Sequence, residues 1–330
     1  MYVAVDAMGG DHAPEVVVQG AVEAVTEFGV SVILVGDEAR LREILGDRRI
    51  RDRILTAHCE DFISMDEPPL KAVRKKKRAS IRVAFDLVRD GKAEAVVSAG
   101  NSGATVAAGV LTLGRLKGVE RPAIAGVFPR EAGPVVLIDV GANVDCRPAH
   151  LFQFGIMARA FASSCLGLRD PKIGLLSIGE EGIKGNEQVR LARELFEKSN
   201  LNFIGNVEGR DIFAGDVQII VCDGFVGNVA LKLSEGMAEA VRKMLSKDLR
   251  SSFLGRVGSR LAQDSLRNFQ EKLDYEIYGG APLLGINGVG VVCHGDSSPR
   301  AIKNAIKLAA DYVENRLVEK MSTELKELLD

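Results

Sequence analysis

Short apolar runs rich in β-branched residues alternate with helix-length amphipathic segments from one end of the chain to the other. The runs Val3–Val5, Val32–Val35, Ile54–Ala57, Ala95–Val97, Ile124–Phe128, Val135–Ile138, Ile173–Ser177, Phe203–Ile204, Val217–Cys222 and Val289–Cys293 predict strands. Most are continuous rather than alternating, as expected of strands covered on both faces. Between them lie helical patterns such as Pro14–Phe28, where Pro14 suits a first helical position and Val17, Ala21, Ala24 and Phe28 share one face. This repetition predicts an α/β fold, a largely parallel sheet flanked by helices and joined by right-handed crossovers. No Pro/Ser-rich linker and no repeat of fixed period divides residues 1–330, which read as a single α/β domain. The longest break in the rhythm, 236–275, is mostly helical and reads as a protruding section.

Composition narrows the function classes. Hydrophobic residues make up 46% and charged residues 27%, the balance of a folded globular chain. A net charge of -2 supplies no global attraction to nucleic acid, and with no Trp and 5% aromatics there is little for bases to stack on. No apolar run is long enough to span a membrane and the N-terminus has no secretion pattern, so a cytoplasmic protein is expected. The five cysteines form no C-x-x-C pair and the four histidines lack ligand spacing, which argues against disulfides and a metal site.

Of the 35 glycines, 14 fall in six clusters: 6–14, 98–104, 139–143, 179–187, 223–228 and 279–288. The clusters are expected to follow strands and to meet at the carboxyl edge of the sheet, where ligands of open α/β folds bind. Loops running into helices present unpaired N–H groups suited to an anion. One Gly-rich turn is only turn geometry; six that carry Asn, Lys, Asp and His together point to a site. Nucleotide, hydrolase and zinc-protease signatures are missing: no G-x-G-x-x-G follows a strand, Lys184 is followed by Gly185 rather than Ser or Thr, and G-x-S-x-G and H-E-x-x-H do not occur.

The stretches AVDAMGGDHAP (4–14), SAGNSGA (98–104), DVGAN (139–143), GEEGIKGNE (179–187), GFVGNVALK (224–232) and GGAPLLG (279–285) resemble the bacterial phosphate acyltransferase (PlsX) family, in order and over nearly the whole chain. Ser102 stands where that pattern carries Thr, keeping the hydroxyl, and 181–183 is a variable stretch. The resemblance implies a fold similar to isocitrate and isopropylmalate dehydrogenases and phosphotransacetylases, a homodimer and no cofactor. The implied reaction moves a fatty acyl group from acyl-acyl carrier protein to inorganic phosphate, giving acyl phosphate for glycerophospholipid synthesis.

Such chemistry needs a held phosphate, an oriented thioester and a stabilised oxyanion, with neither metal nor covalent nucleophile required. Lys184 is the candidate for phosphate charge and oxyanion stabilisation. Asn228 either offers a neutral donor or caps a helix. His12 either takes the phosphate proton or ties down its own turn. Gly9, Gly10, Asn101, Ser102, Gly103, Asn143, Gly185, Asn186, Gly227 and Gly280 are candidate phosphate and substrate contacts. Asp6, Asp139 and Asp223 at strand ends are expected to orient other groups, and Cys222 reads as a buried inert thiol.

Six of the eight residues 71–78 are basic (Lys71, Arg74, Lys75, Lys76, Lys77, Arg78). They form either a solvated helix face or, as the resemblance implies, a patch that steers an acidic acyl carrier protein. Residues 242–267 hold seven Lys/Arg and two Asp around Leu249, Phe253, Leu254, Val257 and Leu261. That pattern fits a dimer helix or contact with an anionic bilayer; the resemblance favours a peripheral membrane role beside a membrane-bound glycerol-3-phosphate acyltransferase. Two other readings stay open: an NAD(P)-dependent dehydrogenase of the same fold type, and a non-catalytic membrane scaffold of lipid synthesis.

Overall fold

The computed structural model of the chain describes residues 1–46, 52–266 and 279–329. The strands are β1 (Tyr2–Asp6), β2 (Ser31–Gly36), β3 (Ile54–His58), β4 (Ala95–Ser98), β5 (Ala123–Phe128), β6 (Val135–Ile138), β7 (Ile173–Leu176), β8 (Phe203–Val207), β9 (Ile219–Val221), β10 (Ala281–Leu284) and β11 (Val289–Val292). The helices are α1 (Glu15–Phe28), α2 (Glu38–Leu45), α3 (Pro69–Lys75), α4 (Ser80–Arg89), α5 (Ser102–Leu113), α6 (Pro148–Cys165), α7 (Glu187–Glu197), α8 (Asp211–Ala214), α9 (Gly224–Ser251), α10 (Phe253–Leu261), α11 (Pro299–Glu314) and α12 (Leu317–Leu329).

One sheet runs in the order β3-β2-β1-β4-β11-β10-β5-β6-β9-β7-β8. β4 and β6 are buried at every position, which is why their sequences are unbroken apolar runs with no polar face. α1 buries Val17, Val18, Ala21, Ala24 and Val25 and ends where Gly29 takes a left-handed φ of 67°. Gly20 lets α11 close in, since a Cβ there would lie 2.6 Å from the Pro299 carbonyl oxygen. Phe28, expected on that buried face, is exposed, and the Lys303 ammonium lies over its ring.

The sheet is not parallel throughout, and this decides where the site can be. β1–β4 and β11 run together, but β5 pairs antiparallel with β6, so β6, β9, β7 and β8 run the other way. Only residues 129–134 join β5 to β6, too few for a helical crossover, so a hairpin is the available connection. The glycine clusters therefore do not gather at one edge. Those at 6–14 and 98–104 leave by one edge, while those at 139–143, 179–187 and 223–228 leave by the other.

The sixth cluster does not follow a strand. It contains one, β10, which opens a hairpin with β11. Within β10 only Leu283 and Leu284 pair with β5, so the missing N–H of Pro282 leaves no β5 bond unmade. The helical section also begins earlier than 236: α9 starts at Gly224 and runs 28 residues, about 42 Å of helix. The end of the expected protrusion, 267–275, lies outside the described residues.

Candidate active site

Each half of the sheet has a point where strand order reverses, the place where open α/β sheets bind ligands. In the first half the loops after β1 and β4 meet there. Gly9 is required for the approach: a Cβ would sit 2.6 Å from Asp6 Oδ2 and 2.8 Å from the Gly100 amide nitrogen. The buried Asp6 carboxylate accepts a 2.7 Å bond from Ser98 Oγ, which in turn accepts from the Gly100 N–H at 3.1 Å. Burial pushes the Asp6 carboxyl above its ordinary range, against the Ser80 and Ser98 hydroxyls that favour its charged form.

Gly10 takes a φ of 115°, and His12 lies 2.9 Å from Asp296 Oδ1 through Nε2, an exposed pair across two loops. Asp296 is a partner that sequence reading missed, since 284 residues separate the two. Asn101 caps α5, accepting from the Ala104 N–H at 3.0 Å, and its amide donates to the Met65 and Glu67 carbonyls. Both its ends are thus committed to structure. Gly103 makes room for Pro69, Gly280 for Val291, and Ser102 is exposed on the first turn of α5.

At the opposite edge, β6, β9 and β7 lie side by side, with Ile138, Val221 and Leu175 in register. The buried Asp139 carboxylate organises the loop after β6. It accepts from the N–H groups of Ile124 (3.1 Å), Gly141 (3.1 Å), Ala142 (2.9 Å) and Asn143 (2.7 Å), and from Asn143 Nδ2 (2.8 Å). Burial pushes this carboxyl up too, and the bonds from Ala142, the Asn143 amide, Ile124 and Gly141 pull the other way. Asn143 lies in this loop and not at a helix start. It is buried, and its amide protons go to Asp139 and to the Pro122 carbonyl oxygen, 2.7 Å away.

The loop after β9 packs on this one. The Gly224 N–H donates to the Asn143 carbonyl at 2.7 Å, and a Cβ on Gly224 would lie 2.6 Å from that oxygen. Asp223, not Asn228, caps α9, accepting from the Val226 N–H at 2.9 Å. Asn228 is therefore in the second turn, half-buried, with its side chain over Gly141. Its amide makes no hydrogen bond among the described residues. Cys222 is buried beside Asp139, and desolvation pushes its thiol well up, the environment of an inert sulfur rather than a nucleophile.

The loop after β7 turns back at Glu181–Lys184, where the Lys184 N–H donates to the Glu181 carbonyl at 2.9 Å. Gly185 has a φ of 97° and Asn186 caps α7 through the Val189 N–H. Lys184 is exposed and has no ion-pair partner among the described residues. So the structure places Lys184 and Asn228, with Gly185, Asn186, Gly227 and Asn143, at the ends of neighbouring strands. It does not bring His12, Gly9, Gly10, Asn101, Ser102, Gly103 or Gly280 to that edge.

The basic run divides in the structure. Lys71, Arg74, Lys75 and Lys77 are exposed, on or just after α3. Arg78 pairs with Glu60 at 2.8 Å. Lys76 is not a free docking cation: its ammonium donates to the Phe62 carbonyl and to Glu67, both at 2.8 Å, and stands 3.4 Å from Asp61. Glu67 is correspondingly held down to about 2. Further along, Phe253 (73% exposed), Leu254 (81%) and Leu261 (86%) stand out from α10, with Val257 also exposed on the same helix.

Compared with known structures, the fold is that of a phosphotransacetylase-like α/β protein. A phosphotransacetylase from Streptococcus pyogenes superposes with a TM-score of 0.64 at 20% identity, over 95% of this chain and 94% of that one. A 4-hydroxythreonine-4-phosphate dehydrogenase from Klebsiella pneumoniae gives 0.55 at 15% identity, over 94% and 98%. The sequence narrows the class. The model of the family described as "Fatty acid synthesis protein" matches residues 1–320. A phosphate acyltransferase from Geobacter sp. (strain M21) is 54% identical over 327 residues, 98% of this chain and 93% of the relative. One from Pelotomaculum thermopropionicum is 49% identical over 328 residues, 99% and 96%. The chain belongs to this family, the phosphate acyltransferases.

Proposed function

We propose that the chain transfers a long-chain acyl group from acyl-acyl carrier protein to inorganic phosphate, supplying acyl phosphate for glycerophospholipid synthesis. One observation carries the site assignment. Lys184 and Asn228 follow adjacent strands, β7 and β9, out of the same edge of the sheet, and among the described residues the ammonium has no ion-pair partner and the amide no hydrogen bond, while Asn186, Asp223 and Asn143 take the structural duties. A phosphate oxygen attacks the thioester carbonyl, the C–O bond forms, and the C–S bond then breaks to release the carrier thiolate. Lys184 holds the phosphate charge and offsets the oxyanion; Asn228 donates to the carbonyl or phosphate oxygen. His12, oriented by Asp296, fits a proton acceptor only where the other edge reaches the same substrate.

Palmitoyl-acyl carrier protein mixed with purified protein is the deciding assay, with free thiol followed with and without phosphate. Phosphate-dependent release, with acyl phosphate trapped by hydroxylamine, is expected. Release without phosphate means a thioesterase. No release from a folded protein leaves the scaffold reading, and NAD(P)H binding would restore the dehydrogenase one.

The exposed cations of α3 are the docking surface for the acidic carrier in this proposal. Lys71→Glu with Arg74→Glu is expected to raise the KM for the carrier substrate about tenfold and flatten its salt dependence, leaving kcat unchanged. An unchanged KM would sink the assignment. Lys76 is left out of the variant because reversing it would break its internal bonds.

Among the described residues no helix is long and apolar enough to cross a membrane, so membrane contact in this proposal is peripheral, at an anionic surface. Phe253→Glu with Leu254→Glu is expected to abolish sedimentation with anionic vesicles while soluble turnover persists. The exposed apolar row Val229, Leu233 and Met237 on α9 supports a homodimer. Loss of the dimer in the Phe253/Leu254 variant, instead of vesicle binding, would reassign α10 to that interface.

A further inference from the structure

The Lys184 turn is on the surface, yet one buried side chain ties it to the sheet. Asn206, at the end of β8 and only 6% exposed, donates from Nδ2 to the Glu181 carbonyl at 3.0 Å and to the Lys184 carbonyl at 3.4 Å. The one amide nitrogen thus reaches the carbonyls at both ends of one turn. The carbonyl end of the same side chain, Oδ1, is buried with no hydrogen-bond partner among the described residues. A buried amide satisfied at only one end is poor for stability, and an apolar residue of that volume would be cheaper there. What the asparagine contributes is the clamp.

The other contacts around the turn do not do this. Arg193 packs against Gly182 and the exposed Arg210 pairs with Glu180, but neither bonds the Lys184 backbone. A free lysine on an unanchored turn would lose much of its conformational freedom on meeting a phosphate. Fixing its backbone beforehand removes part of that cost and holds the ammonium where charge develops. We propose that Asn206 is the positioning residue of Lys184, acting on phosphate capture through the turn and touching no substrate itself. This rests on the assignment of Lys184 made above.

The test is a double-mutant cycle of Asn206→Ala and Lys184→Ala, read as single-turnover, phosphate-dependent thiol release. Asn206→Ala alone is expected to lower kcat/KM for phosphate about 10²-fold, as a displaced catalytic group does, with the KM for the acyl donor unchanged. Added to Lys184→Ala it is expected to cost less than about threefold more, because the group it positions is already gone. An equal loss in both backgrounds overturns the inference and leaves the Lys184 assignment standing. Full activity in Lys184→Ala alone overturns both. If Asn206→Ala does not fold, Asn206→Ser, which keeps a single hydroxyl donor, is read in the same cycle.

Discussion

Lys184→Ala is expected to lower kcat/KM for phosphate by about 10²- to 10³-fold, the usual loss when one group facing developing negative charge is removed. Its melting temperature should stay within the scatter of surface substitutions, because the side chain is exposed and has no ion-pair partner among the described residues. That separation makes the result diagnostic: lost activity in a chain that melts normally locates charge stabilisation at the turn after β7. Lys184→Arg should recover only part of the rate, since a planar fork cannot replace a point charge at the same spot. Normal turnover of the alanine variant would move the phosphate site to the other edge of the sheet. There Ser102 and the N-terminus of α5 would become its candidates.

Gly227→Ala is the second large effect, and it arises from packing. A Cβ at Gly227 would land on the Asp139 carbonyl oxygen and lie 3.0 Å from Cys222 Sγ. Backbone atoms held by Asp139's five N–H donors cannot give way cheaply, so the first turns of α9 must move instead. Destabilisation of about 3 kcal/mol is expected, at the upper end of ordinary overpacking, with the melting temperature falling by roughly 6 °C. Activity should fall as well, because Asn228 is the next residue. Gly236→Ala is the control in the same helix: nothing lies within 4 Å of its Cβ position, so helix propensity alone predicts a gain of about 0.5–1 kcal/mol. A Gly227 variant that melts and turns over normally would show that α9 does not rest on the Asp139 loop as described.

Strand positions were largely legible because unbroken apolar runs such as Val32–Val35 and Val135–Ile138 have no other use in a folded chain of this composition. β10 was not. Four residues including Pro282, set among glycines, carry no strand signal, and what makes them a strand is the pairing of Leu283 with Gly290 on one side and Ile124 on the other. The reversal between β5 and β6 had a readable sign in its six-residue connection, too short for a crossover.

At the site, Lys184 and Asn228 read from the sequence as candidates, Asn228 with helix capping as its other reading, and Asn101, Asn143 and Asn186 drew the same attention through the same residue type; only the structure shows that the last three spend their side chains on loops and caps. Side-chain type does not reveal whether an amide's bonds are already spent. Lys76 was misread among its basic neighbours for that reason: Asp61 and Glu67, which bind it, precede α3.

The sequence by itself determined the α/β class, the strand-helix order and the family, because hydrophobic period and glycine-rich turns are local properties of the chain. Only the tertiary structure decided that the carboxyl ends of the strands point to two edges, that Lys184 and Asn228 share one of them, and that Asp139, Asp223 and Asn206 spend their bonds holding loops. Those facts depend on strand pairing and on contacts between residues far apart in the chain, which no local pattern encodes.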